Sequence, residues 1–299
     1  MIAWITEPLQ YDFFVRALAE IAVVGLLCGL VGCFVVLRGL AFIGDALAHA
    51  VFPGVVLSYI AGQSVLIGAF IFGGLTAIAV GTISRSRRVS EDTAIGVIFA
   101  AFFALGVAII SRHSGVKRDL GSLLFGSILG VSNSDLIATT AIGLVVIAVM
   151  FLLMKELKLV AFDATLAHAL GYPVFWLDLL LLLMISATIV ASLQTVGNIL
   201  ILALVVTPPA AARLLTDRLD HMLMYSATIG VLSGIGGLYF SFHLDTAAGA
   251  TVVLWSTLCF LLALVFAPTH GLLAVRRHAA RGEHHEHHFH AEEETRIPS

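Results

Sequence analysis

An all-α, polytopic transmembrane helical bundle is the fold class the sequence predicts, and three observations predict it. Of 299 residues, 60% are hydrophobic and 12% charged, with a mean hydropathy of +1.04. That composition lies outside the range of soluble globular domains. Apolar runs of about 20 residues, the length that crosses a bilayer, recur along the whole chain. Lys and Arg gather in alternate connections between those runs.

The runs fall near 13–37, 40–61, 65–84, 93–111, 135–154, 174–194, 197–212, 221–241 and 247–267. They give about nine crossings, or eight if the first two form one broken unit. Residues 1–268 therefore read as one transmembrane domain with no soluble domain attached. An N-terminus outside places Arg38, Arg85, Arg87, Arg88, Lys155, Lys158, Arg213, Arg218, Arg276, Arg277 and Arg281 on the inner side. Only Arg16, Arg112, Lys117 and Arg118 then stay outside, which satisfies the positive-inside bias. Glu7 and Asp12 with no basic n-region argue against a cleavable signal peptide. Cys28, Cys33 and Cys259 all fall inside spans, so no disulfide framework is expected. Gly25 with Gly29, and Gly230 with Gly234, stand in GxxxG spacing, which lets helix backbones approach closely in lipid.

Two segments do not span. "DLGSLLFGSILGVSNSD", Asp119 to Asp135, is too short and glycine-rich for a crossing, so an interfacial or re-entrant helix is expected on the outer side. "ELKLVAFDATLAHALGYP" lies on the inner side. There Asp163 suits an N-cap, Gly171 a C′ position, and Pro173 stops further helix, which describes about two turns between spans. This short helix is either a connector or a docking surface. Residues 269–299 break sharply in composition and read as a cytoplasmic, disordered His/Glu-rich tail.

Chemistry should sit in "LAFIGDALAHAVFPGVVLSYI", residues 40–60. If Arg38 marks the inner membrane edge by snorkelling, Asp45 lies about 10 Å deeper and His49 about 16 Å deeper. A lone carboxylate at such depth costs about 2.5–3.5 kcal/mol on insertion scales, so it needs a partner or a wet path. The i, i+4 spacing puts both side chains on one helix face. Carboxylate oxygen and imidazole nitrogen both bind divalent first-row ions such as zinc or manganese. Pro53 cannot donate to the carbonyl of residue 49, and a kink is expected there. The bland alternative is that the two side chains satisfy each other or a neighbouring helix.

"GDALAHAVFPG" resembles the signature of the integral-membrane permeases of bacterial ATP-binding-cassette importers for zinc, manganese and iron. "SEDTAIGVIF", "DLGSLLFGSIL", "FDATLAHALG", "VGNILILALVVTPPAAARLL" and "SGIGGLY" follow in the family's order, from about residue 8 to 268. Ala164-Thr165 departs from the Pro-Glu often found after the aspartate. The resemblance implies a homodimeric pathway in the bacterial inner membrane, two separate ATPase subunits, and an extracytoplasmic metal-binding protein that delivers the ion. It implies further that Asp45 and His49 form the intramembrane metal site. Asp163, Ala167 and Gly171 would belong to the helix that couples to the ATPase. The chain has no GxxxxGK[ST], so ATP hydrolysis falls to the partner and the chain is not itself an enzyme. Neither a resident cofactor nor a nucleic acid partner is expected; lipid surrounds the spans, and the metal is cargo, zinc first and manganese second.

Weaker candidates are His284, His285, His287, His288 and His290 in the tail, where clustered imidazoles would bind metal or merely stay solvated. His243 and Asp245 in an outer loop would receive metal or do nothing. Glu91 and Asp92 open a span, with Asp92 placed as N-cap. A secondary transporter would need several buried carboxylates, and the spans offer chiefly Asp45, with Asp178 near an edge. A membrane sensor working through the tail would not need the Asp45–His49 pair.

Overall fold

The computed structural model describes residues 4, 6–85, 89–112 and 128–267. Among these residues there are nine helical units long and apolar enough to cross a membrane. They are α1 (Asp12–Leu37), α2 with α3 (Ile43–Ala50 and Phe52–Ile60), α4 (Val65–Ser84), α5 (Glu91–Ser111) and α6 (Asn133–Leu152). After two short helices, α7 (Met154–Phe162) and α8 (Ala164–Ala169), come α9 (Val174–Val196), α10 (Asn198–Leu215), α11 (Leu219–Leu244) and α12 (Ala248–Phe266). The all-α, nine-span expectation holds, and the second crossing is the broken one. His113, Asp119 and the tail histidines lie outside the described residues.

The centre of the bundle is α1, the most buried span, which packs on α11, α10, α6 and α9. At its crossing with α11, Gly25 meets Gly230, while Gly29 lies against Ser226 and Ala227 and Gly234 against Ile21. A Cβ on Gly230 would stand 2.4 Å from the Gly25 carbonyl oxygen, and one on Gly29 would stand 2.8 Å from that of Ser226. Ser226 Oγ also donates to the Gly29 carbonyl at 2.7 Å. Backbone therefore lies on backbone here, and hydrogen bonding and dispersion replace the hydrophobic drive that lipid removes.

Three local expectations are corrected. The N-cap of α5 is Ser90, whose hydroxyl accepts from Thr93 N at 3.2 Å, while Glu91 and Asp92 occupy the first turn. Asp135 does not close an interfacial segment: it belongs to the capping box that Ser132 opens at the start of α6. Arg38 does not snorkel freely. Its guanidinium pairs with Asp178 on the first turns of α9, tying the C-terminus of α1 to the helix that follows α8. Arg38→Met leaves that carboxylate alone. The expected loss is about 2–3 kcal/mol of stability, less than for a fully buried pair because Asp178 keeps some water. The charge-swapped pair Arg38→Asp with Asp178→Arg should restore much of it in a thermal melt.

The connector between α6 and α9 forms as the signals in 163–173 indicate. Asp163 Oδ1 accepts from Leu166 N at 2.8 Å. Gly171 takes φ +84°, and Tyr172 N returns to the Ala167 carbonyl at 3.0 Å, a Schellman-type closure. Ala167 is buried against Val160 and Leu177, whereas Leu166 and Leu170 stay exposed. The three residues singled out from the sequence thus build and seat α8, and other side chains form its free face.

Candidate metal site

Two helix breaks bring the site together. The first lies at Val51 between α2 and α3, where Pro53 occupies the first turn of the second piece, a position that needs no N–H. The second lies at Gly197 between α9 and α10, where φ +83° with ψ 163° is a conformation open only to glycine. The residue after that break is Asn198, 95% buried at 5% exposure, and it faces the first turns of α2.

Asn198 Nδ2 lies 3.2 Å from Asp45 Oδ1 and 3.3 Å from His49 Nε2, and those two atoms are 3.5 Å apart. Three polar atoms thus form a compact triangle. An amide nitrogen only donates, so Asp45 Oδ1 accepts, and His49 Nε2 accepts in the tautomer that carries its proton on Nδ1. Both carry lone pairs directed at the same point, as metal ligands must. Asn198 Oδ1 is buried without a hydrogen-bond partner. An orphaned amide oxygen costs about 1–3 kcal/mol. Turning the amide over would place that oxygen beside the other two atoms and sacrifice no existing bond on its own side.

Phe99 and Phe103 of α5 wall the imidazole, at 5.8 and 5.5 Å between ring centroids. The opposite side is open: the Asp45 and His49 side chains are 43% and 26% exposed in the single chain. Among the described residues no group of three or more His, Cys, Asp or Glu converges on a point, so one chain offers two ligands of those types here. Sequence reasoning missed Asn198, although "VGNIL" marked its segment; an uncharged residue at the edge of an apolar run carries little signal. His243, a weaker candidate, stacks on Trp4 at 4.2 Å and directs Nε2 to the Trp4 carbonyl at 2.9 Å, so that nitrogen is occupied. Asp245 is the left-handed residue that ends α11.

Nine apolar crossings around a cluster of polar side chains, at two broken helices, define a polytopic membrane protein. The chain belongs to the ABC 3 transport family, whose model matches residues 10–267. It is a multi-pass permease of the bacterial inner membrane. It is 47% identical over 267 residues to the manganese transport system membrane protein MntC of Halalkalibacterium halodurans, covering 89% of this chain and 91% of that one. It is 40% identical over 276 residues to the chelated iron transport system membrane protein YfeC of Yersinia pestis, covering 92% and 94%. Among solved structures it matches PsaBC from Streptococcus pneumoniae, in complex with Fab, with a TM-score of 0.80 and 37% identity. That match covers 92% of this chain and all of the other.

Proposed function

We propose that this chain is the translocating subunit of an ATP-binding-cassette importer that carries a divalent first-row ion into the cytoplasm, manganese before zinc. The observation that carries this reading is the triangle of Asp45, His49 and Asn198. Manganese moves ahead of zinc for two reasons. An amide oxygen beside one carboxylate shifts the donor set toward oxygen, which suits manganese, and the relatives include manganese transport proteins.

Two copies are needed to enclose the ion. Each brings Asp45 and His49 on a partly open face, and a two-fold axis beside that face would complete four ligands. With the N-terminus outside, an extracytoplasmic metal-binding protein supplies ion at the starts of α1, α4, α6 and α10. A separate ATPase docks on α8, where Leu166 and Leu170 form an exposed apolar face. Movement of α8 passes to α9 through the short stretch ending at Pro173, and from Asp178 to Arg38 at the end of α1. Five residues later the chain enters α2, which carries Asp45.

The test is uptake of radioactive manganese and zinc by the purified permease reconstituted with the ATPase encoded beside it. ATP-dependent accumulation with manganese preferred supports the reading, whereas accumulation driven by a proton or sodium gradient alone refutes it. Leu166→Asp should leave the permease folded and able to bind manganese. It should weaken ATPase co-purification by about tenfold or more, as expected for a charge placed in an apolar docking patch.

A further inference from the structure

The carboxylate of Glu20 has no part in the site above, and the sequence reading passed over it. Glu20 lies in the middle of the buried face of α1 with 0% exposure, and both its oxygens lack a hydrogen-bond partner. Among the described residues no Lys, Arg or His pairs with it, although Arg16 is one turn away on the same helix. The side chains beside it are those of Thr139 on α6 and Thr195 on α9. Each hydroxyl lies within reach of the carboxylate and, in this geometry, donates to a backbone carbonyl. Thr139 Oγ1 donates to the Ala191 carbonyl at 3.3 Å, and Thr195 Oγ1 donates to the Ser192 carbonyl at 3.0 Å. The two carboxylate oxygens and the two hydroxyl oxygens thus form a cluster of oxygen atoms shared by α1, α6 and α9.

Thr139 and Thr195 are also walls of a small cleft whose other polar lining is Asp135 and Gln194. Leu66 and Asp135, at the first turns of α4 and α6, line it at the end of the bundle where α1 begins. Thr195 in turn stands three residues before Asn198, across the Gly197 break.

We propose that Glu20, Thr139 and Thr195 form an oxygen-only cation site in the outer half of the bundle, separate from Asp45 and His49, which takes a divalent ion of the manganese class. Carboxylate and hydroxyl oxygens are the hard donors such an ion prefers, and a cation removes the cost of leaving a buried carboxylate unpaired. The inference rests on the permease reading for the identity of the ion, but not on the assignment of Asp45 and His49 as ligands.

The test uses the full chain in lipid nanodiscs titrated with manganese chloride and followed by pulsed electron paramagnetic resonance, which detects nitrogen bound to the metal. With Asp45→Ala and His49→Ala combined, a manganese population without nitrogen coupling should remain. Adding Glu20→Gln should remove it, and Thr195→Val, which keeps the carboxyl, should weaken it. In uptake assays Glu20→Gln should raise the half-saturating manganese concentration by about tenfold or more with the maximal rate retained. The proposal is overturned if Glu20→Gln leaves the bound manganese unchanged, or if the population it removes carries nitrogen coupling. An effect of Glu20→Gln on the pH dependence of uptake alone would show that the carboxyl holds a proton, and would overturn it equally. Full manganese binding after loss of Asp45 and His49 would instead refute the inner pair and leave the Glu20 site standing.

Discussion

Replacing Asp45 or His49 with alanine should abolish metal uptake, with a fall of at least about 100-fold when the permease is expressed and assembled normally. Loss of supporting groups around bound metals already costs about 10–100-fold, and these two side chains bring the lone pairs themselves. Asp45→Asn is the sharper variant. It keeps the shape of the Asn198 contact at 3.2 Å and removes the negative charge. Without that charge only neutral donors remain in the triangle to replace the ion's lost hydration. ATP hydrolysis by the assembled complex should persist in all three variants, because α8 is untouched. Undiminished accumulation of both manganese and zinc would remove these residues from the pathway.

Gly230→Leu should be the most damaging change in the scaffold. Even its first carbon would stand 2.4 Å from the Gly25 carbonyl oxygen, a separation real contacts do not reach, and the opposing atom is backbone rather than a side chain that could turn aside. Separating α1 from α11 also strains the Ser226 bond to Gly29. A loss of about 3 kcal/mol is expected, seen as a lower melting temperature and aggregation in detergent. Leu232, two residues on and exposed, is the control: Leu232→Ala should change stability by no more than about 0.5 kcal/mol. Equal melting of the two variants would show that the glycine crossing does not hold the bundle.

The spans were legible because length and apolarity alone specify a crossing, and the nine runs matched the helices to within a few residues. The short α8 was legible as well, since Asp163 and Gly171 act through contacts only a few residues away. The Asp45–His49 proximity followed from helical spacing. What was lost depends on contacts distant in the chain. Asn198 meets Asp45 across 153 residues, and an amide in an apolar run announces no partner. Glu20 was overlooked because one carboxylate does not break a run of 26 residues, and only folding reveals that neither oxygen has a donor. Arg38 was read as an edge marker because its counter-charge, Asp178, lies 140 residues away.

The glycine-only conformation at residue 197 has a bearing on how variants of this permease will be interpreted. Gly197 contributes no side-chain atom to any ion, yet it fixes where Asn198 begins and so where the amide meets its two neighbours. A bulkier residue there would phenocopy the loss of Asn198, lowering transport while Asp45 and His49 stayed intact. Genetic screens that rank positions by transport defect will therefore score a hinge and a ligand alike, and only a direct measurement of bound ion geometry can tell them apart.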